Sequence, residues 1–456
     1  MHAHAAKDVP KRNAPLILYC IMIASTLLHM GGRVPLLGLI HIDLLLTAAT
    51  AFAVWQARGA SGPRAAPPSP MEQKATKQLY ILFGFIAFTV PFVEWPGSVI
   101  KNGMEPFVKA VMFYFFTIWC VKTSRDLRVF LTVYVACQCF RVLEPLYLHF
   151  AYGYWGAATS MTDTEFMDRL SGAPLDIVNP NGLAFIILGT LPILYFIQKK
   201  EKWPIRLLMW GLIGALSYAL ILTASRSGFI VFVLLVGMAV WSSKNRALAL
   251  TLIAVVTVVV SSNLDELQRD RYLSIVRSDV KGASTAHGRT EAVLEDFEVA
   301  MRRPLFGHGL GTSVEANAHY RGYGQISHNL YTEVAQELGF VGLILFLSFV
   351  ATAVKAAWHA QKVARNARGG DHIFEIASRS ILVLLIVDII FSFASYGLSE
   401  SHWYLMAGLA VVTTRIVARE VDNAPVGQEP GSGTGRRRPG RQSNAAAIPP
   451  RRKFTA

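Results

Sequence analysis

Charge is scarce in this chain. Asp, Glu, Lys and Arg together make up 16% of its 456 residues, against about 25% in a soluble globular protein. That shortage excludes the soluble arrangement of about three domains that length alone would imply. It also excludes a disordered chain, which combines high charge with low hydrophobicity. Cysteine is limited to Cys20, Cys120, Cys137 and Cys139. All four fall in or beside apolar runs, where a reduced thiol packs like a small hydrophobe, so a secreted disulfide scaffold is excluded too. No HExxH, paired CxxC, DxD or GxSxG occurs, so no zinc or serine-hydrolase signature is present and no metal or cofactor is expected. The acidic pair Asp163 and Glu165 (DTE) reads as solvated. The first apolar run is followed by Gly31, Gly32 and Arg33 rather than a small-x-small cleavage pattern, and is expected to be a retained span.

What the chain has is apolar length. Hydrophobic residues make up 53% and mean hydropathy is +0.38. Runs near 20 residues recur, the length a helix needs to cross hydrocarbon. The pattern predicts an all-α polytopic membrane protein of about twelve transmembrane helices. They fall near 14–30, 34–57, 78–95, 106–121, 129–146, 181–198, 207–223, 227–242, 247–262, 330–354, 380–396 and 402–418. Of the 44 Lys and Arg residues, most lie in the N-terminal tail, in 58–77, 122–128, 199–206, 244–246 and 355–379, and at the C-terminal end. The positive-inside rule puts those segments, and both termini, in the cytoplasm. The net charge of +14 therefore reads as orientation rather than nucleic-acid binding. The expected organisation is a cytoplasmic tail over 1–13, helices one to nine within 14–262, an outer loop over 263–329, helices ten to twelve within 330–418, and a disordered basic cytoplasmic tail over 419–456. That tail, with Arg436, Arg437 and Arg438, reads as a solvated segment or as one that touches anionic lipid.

Two outer segments, 147–180 and 263–329, exceed the roughly 12–15 residues of a mere connection. The second contains GRTEAVLEDFEVAMRR (288–303), with Val293, Leu294, Phe297, Ala300 and Met301 at helical spacing. Such an apolar face must rest on other loop elements or on the membrane surface, so this loop is expected to be folded and the chemistry to lie on the outer face.

Four stretches there carry candidate residues. RLSGAPLDIVNPNGLAF (169–185) places Arg169 and Asp176 in a loop, with Asn181 able to cap the sixth span. TASRSGFI (223–230) joins two spans almost without a loop, so Arg226 sits at the membrane boundary, either snorkelling or holding an anion. GRTEAVLEDF (288–297) puts Arg289 at a helix start, where helix stability favours acids and does not explain it. The neighbouring FGHGLGTS (306–313) reads as a compact turn around His308, without the strand and helix of a dinucleotide site. In SHNLYTEVAQELGFVGLILFL (327–347), His328 and Asn329 head the tenth span, followed by Glu333 and Glu337. His328 is either a loop residue or a proton acceptor at neutral pH.

The order RLSG…NPNGLAF, TASRSG, GRTEAVLEDF…RRPLFGHGLGT and SHNLYTEVAQELGFVGLILFL resembles the O-antigen ligase and polymerase superfamily over roughly residues 165–350. The resemblance implies a metal-independent, inverting glycosyltransferase of the GT-C type. Such an enzyme moves a glycan from undecaprenyl diphosphate to an acceptor hydroxyl on the outer (periplasmic) face of the bacterial inner membrane. The acceptor would be a glycan, a lipid A core or a protein, in O-antigen or exopolysaccharide assembly. By the same resemblance Arg226 and Arg289 would hold the lipid diphosphate and His328 would activate the acceptor. Arg169, Asn181 and Asn329 would be substrate contacts. Ligase and polymerase share these motifs. The rival from another class is a twelve-helix transporter or flippase of lipid-linked sugars, for which Asp43, Glu144 and Asp388 are the acidic residues within spans.

Overall fold

Every predicted apolar run falls on a helix, 247–262 at its described residues Ala247, Leu250, Thr251 and Ala254, in the computed structural model. It describes residues 13–60, 67–161, 164–247, 250–251, 254, 264–277, 279–280, 284–366, 372–395 and 397–422. Most of 247–262, the N-terminal tail, Asp163 and the basic tail beyond 422 lie outside the described residues.

In chain order the helices are α1 (Ala14–Leu27), the short α2 (Met30–Arg33) and α3 (Pro35–Leu39), α4 (Ile42–Ala60), α5 (Pro70–Thr89), the single turn α6 (Pro96–Ser98), α7 (Met104–Cys120), α8 (Ser124–Tyr152), α9 (Pro180–Gln198), α10 (Trp203–Leu222) and α11 (Arg226–Trp241). After them come α12 (Glu266–Leu273), α13 (Ser284–Arg302), α14 (Ser313–Arg321), α15 (Leu330–Asn366), α16 (His372–Phe391) and α17 (Ser401–Asp422). Among the described residues 6 helices are long and apolar enough to cross a membrane: α5, α8, α9, α10, α15 and α16. Helices α1 and α11 are apolar but shorter.

Local chemistry sets the ends that hydropathy alone misplaced. Helix α8 outruns the predicted 129–146 because Thr123 and Asp126 form a capping box at its start. It stops at Gly153, whose φ of 68° is left-handed. Most of the core is one apolar cluster, with Tyr19, Tyr114, Tyr134, Tyr404, Phe346 and Phe349 among its largest fully buried side chains, and Met161, Met167 and Ala224 form a small second one. The four cysteines are free and buried in or beside the large cluster.

The 147–180 segment departs from the all-helical expectation. It holds an antiparallel hairpin of β1 (Gly156–Ser160) and β2 (Phe166–Leu170), with Ala157 paired to Arg169 and Ser160 to Phe166. Period-2 alternation places Met167 and Arg169 on its buried face. Five-residue strands are too short for that signal to stand out in an apolar sequence.

The predicted amphipathic helix forms as α13, but only part of the apolar stripe packs. Asp296, Val299 and Ala300 are buried, whereas Leu294, Phe297 and Met301 are 62%, 46% and 52% exposed. A polar clasp explains this. Asp296 accepts from Asn317 Nδ2 at 3.1 Å, from Arg321 Nη1 at 2.9 Å and from Gln336 Nε2 at 3.3 Å, tying α13 to α14 and α15.

Candidate active site

The site is built on the turn between α10 and α11. Helix α10 ends at Leu222 and α11 begins at Arg226, so Thr223, Ala224 and Ser225 reverse the chain. Ser225 caps α11, its hydroxyl accepting from Gly228 N at 3.3 Å. Ala224 is buried with φ at 46°, a left-handed conformation costing a non-glycine residue about 1–2 kcal/mol. Gly228 lets the turn press on α9, because a Cβ there would lie 2.8 Å from Ala184 Cβ.

A strained turn persists where its surroundings hold it, and three side chains do so. Arg169 Nε donates to Thr223 O, Arg271 Nε to Ala224 O and the Tyr272 hydroxyl to Ile221 O, each at 2.8 Å. These carbonyls close the C-terminal end of α10, where unpaired acceptors and the helix field both favour cations. Burial pushes the Tyr272 phenol up, against the opposing pull of Arg169 and Arg271. Arg226 Nη1 donates to Ser274 Oγ at 3.0 Å, and Ser274 Oγ donates to Arg271 O at 2.7 Å. Helix α12 is thereby stapled onto the turn, with the Phe229 and Tyr272 rings 4.8 Å apart. Arg169, Arg226 and Arg271 are all buried. Three permanently charged guanidinium groups around one turn form a setting suited to a phosphate-bearing ligand.

The structure brings Arg169 and Asn181 into direct contact, Arg169 Nη2 donating to Asn181 Oδ1 at 3.0 Å. Asn181 does not cap its helix. Pro180 occupies the first helical position, so the cap falls to Asn179, whose side chain accepts from Gly182 N at 2.8 Å. Asp176 is engaged elsewhere. Arg141 holds it with two hydrogen bonds at 2.8 and 2.9 Å, and His29 Nδ1 lies 2.8 Å away. Burial alone would raise its pKa, but His29 and Arg141 outweigh that and hold the carboxyl at about 2.

His328 stands half-buried before α15, between the buried Ser327 and Asn329. Asn329 acts as the cap of α15: its Oδ1 accepts from Tyr331 N at 2.9 Å and Thr332 N at 3.2 Å, while Nδ2 donates to Phe393 O at 3.3 Å. The carboxamide thus fixes the backbone that carries His328. The Phe391 ring lies tilted against Phe185 of α9 at 5.1 Å, and Phe393 lies 4.7 Å from Tyr331, so the end of α16 lies between the head of α15 and the head of α9. Glu333 accepts from Gly397 N at 2.7 Å, and Glu337 is hydrogen-bonded by Gly311 and Ser313. Both acids are buried. Arg289 lies within α13, with its side chain outside the described residues.

The FGHGLGTS stretch is the compact turn its glycines imply. Gly307, Gly309 and Gly311 all have positive φ, and the turn wraps a kink in α15 where Gly339 has φ 66°. His308 is fully buried, Nδ1 facing Glu94 Oε2 and Nε2 facing Val299 O, both at 3.0 Å. Among the described residues no cluster of three or more His, Cys, Asp or Glu side chains could hold a metal ion. The acids expected to test a transporter are each partnered: Asp43 by Ser25 at 2.7 Å, Glu144 by Arg33 at 2.6 and 2.5 Å, and Asp388 by His402 at 3.2 Å. Sequence reading missed Arg271, Tyr272 and Ser274; the dense RDRYLS (269–274) in a non-periodic stretch was their only signal.

Residues 210–347 match the family model described as O-antigen ligase. The matched stretch runs from α10 through the arginine-held turn and helices α12 to α14 into α15. No curated protein matches the chain. The family match bears out, over that stretch, the superfamily read from the motifs.

Proposed function

On the premise of that family match, we propose that the protein is an inner-membrane glycosyltransferase working as an O-antigen ligase or polysaccharide polymerase. It moves a glycan from undecaprenyl diphosphate to an acceptor hydroxyl at the outer, periplasmic face. In this reading the chain crosses the membrane about twelve times, with a ninth span over 247–262, a folded outer loop over 263–329 and both termini in the cytoplasm. The observation that carries it is that the matched stretch contains the turn into which Arg169, Arg226 and Arg271 converge.

The acceptor oxygen attacks the anomeric carbon while the bond to the lipid diphosphate oxygen breaks, a single displacement that inverts the centre. Negative charge grows on the leaving diphosphate. Arg226 and Arg289 stabilise it without a metal, and fixed cations in a water-poor cleft do this with little reorganisation. Arg169 and Asn181 orient the donor-side turn. The His328 imidazole takes the acceptor proton, a step worth about 10²–10⁴-fold, and Asn329 holds its backbone. The polyprenyl tail lies in the apolar groove of about 350 Å³ that starts at Tyr331 and continues past Phe346 and Val350 between α15, α16 and α17.

The deciding experiment incubates the purified protein, in lipid, with an undecaprenyl-diphosphate oligosaccharide and no other acceptor. A ladder of longer glycans, lost in Arg226→Ala, identifies a polymerase. Transfer that needs an added lipid A core or protein acceptor identifies a ligase. No transfer to any acceptor overturns the reading and favours a transporter of lipid-linked sugars.

A further inference from the structure

One cavity lies far from the arginine-held turn. It measures about 990 Å³ and opens among α1, α4, α5, α7 and α17. Lys122 lines it and precedes α8, whose far end at Tyr152 leads into the hairpin carrying Arg169. At about 1.5 Å per residue, α8 separates the two places by roughly 43 Å. They sit at opposite ends of the bundle.

Five cations line this cavity: Arg58, Lys77, Lys122, Arg415 and Arg419 face a single carboxylate, Glu72. Glu72 is already committed, accepting twice from Arg415 Nη1 at 2.9 Å. Arg415 also donates to Ile118 O at 3.0 Å and Val121 O at 2.8 Å, so the buried pair forms a fixed floor. Arg58, Lys77, Lys122 and Arg419 form a cationic rim, and among the described residues no second acid lines the cavity. One wall is aromatic. Trp119 carries the Arg58 guanidinium over its ring at 4.2 Å. Phe115 lies 5.2 Å from Trp119 and Tyr80 lies 5.7 Å from Phe115. The wall therefore runs from α7 across to α5 beside the rim.

Basic residues at membrane ends commonly only orient helices, and that role requires neither a cavity nor a neutralised floor. A cationic rim above an aromatic wall matches a molecule with an anionic head and an apolar chain. We propose that this cavity binds a phosphate-ester anion, the headgroup of an anionic phospholipid in the leaflet opposite the candidate active site. The site is independent of the glycosyl-transfer reading and stands or falls separately.

The test uses delipidated full-length protein titrated with dioleoyl-phosphatidylglycerol, dioleoyl-phosphatidylcholine or inorganic phosphate, with native mass spectrometry reading the bound species. Phosphatidylglycerol is expected to bind saturably, and phosphatidylcholine, whose head is neutral overall, much more weakly. A cation near an anionic headgroup contributes about 1 kcal/mol. The Lys77→Gln/Arg419→Gln double variant should therefore bind phosphatidylglycerol about 25-fold more weakly. Trp119→Leu should weaken the lipid but not inorganic phosphate. Inorganic phosphate that binds as tightly as the lipid and displaces it would keep the anion site and reassign its source to free phosphate. Equal retention of both lipids, or phosphatidylglycerol binding indifferent to the double variant, overturns the proposal. Lys77 is exposed, and an unchanged melting temperature checks that the double variant is folded.

Discussion

Arg169 donates from Nη2 to Asn181 Oδ1 at 3.0 Å and from Nε to Thr223 O at 2.8 Å. One guanidinium thus ties the hairpin to the head of α9 and the tail of α10. A lysine keeps the charge but loses the planar fork, so it can satisfy one of these acceptors and not both. With hydrogen bonds to charged groups worth about 1.5–3 kcal/mol, Arg169→Lys should lower glycan transfer by tenfold or more. Single-turnover transfer from a lipid-diphosphate donor is the measurement. A wild-type rate would mean that the fork is dispensable.

Arg271 extends the same logic to a residue with no motif to announce it. Its Nε holds Ala224 O at 2.8 Å, and Ala224 carries the left-handed backbone of the turn. In Arg271→Met the carbonyl loses its donor and α12 loses one of its staples. We expect faster proteolysis at 264–280 and weaker donor binding, with the span helices unaffected. Protection of that segment equal to wild type would remove Arg271 from the positioning of Arg226.

What could be read in the sequence, and what could not, follows from the range of each interaction. Span helices were legible because a run of apolar residues is local, and the TASRSG turn because two such runs meet there almost without a loop. Asn181 was misread as a cap because Pro180 moves the cap back to Asn179, a shift visible in the sequence once the proline is given its place at the first helical position. The partnership of Arg169 with Thr223, across 54 residues, has no local signature. Nor does the clasp at Asp296, which turns α13 so that Leu294, Phe297 and Met301 stay exposed.

Asp176 gives a pH signature. Its folded pKa of about 2 lies below the ordinary value of 3.8, so the folded state releases its proton more readily than the unfolded chain. The stabilisation is complete above about pH 5 and is lost as pH falls from about 4 to about 2. At about 1.4 kcal/mol per unit, roughly 2 kcal/mol is at stake. Asp176→Asn should be less stable at neutral pH, because Arg141 keeps its burial and loses its partner. Its stability should also fall less steeply between pH 5 and pH 2. Parallel acid-unfolding profiles for the two proteins would contradict this.

Gly339 makes a prediction about shape. Its φ is 66°, and an added Cβ would stand 2.5 Å from the Leu305 carbonyl carbon. Gly339→Ala therefore strains the backbone and collides with the turn that holds His308. A loss of roughly 1–3 kcal/mol follows from the backbone alone. The clash adds to it, since the nearest atoms are main chain. Thermal unfolding in lipid reads this directly, and a melting temperature equal to wild type would show that α15 can straighten without cost.

His328 separates the roles of the site's two halves. If the imidazole accepts the acceptor proton, His328→Ala should lower turnover by about 10²–10⁴-fold while donor affinity stays near wild type, because the arginine-held turn remains whole. Arg226→Ala should do the reverse in part. It removes the Ser274 contact at 3.0 Å and a cation proposed to meet the diphosphate, so donor binding and turnover should fall together. Asn329→Ala is the control for position. It leaves the imidazole present but frees the first turn of α15, where Oδ1 holds Tyr331 N and Thr332 N. Its turnover should lie between wild type and His328→Ala, with the same pH dependence as wild type. Full turnover in His328→Ala at neutral pH would assign proton transfer to another group, and would leave His328 as the residue that Asn329 and Ser327 merely hold in place.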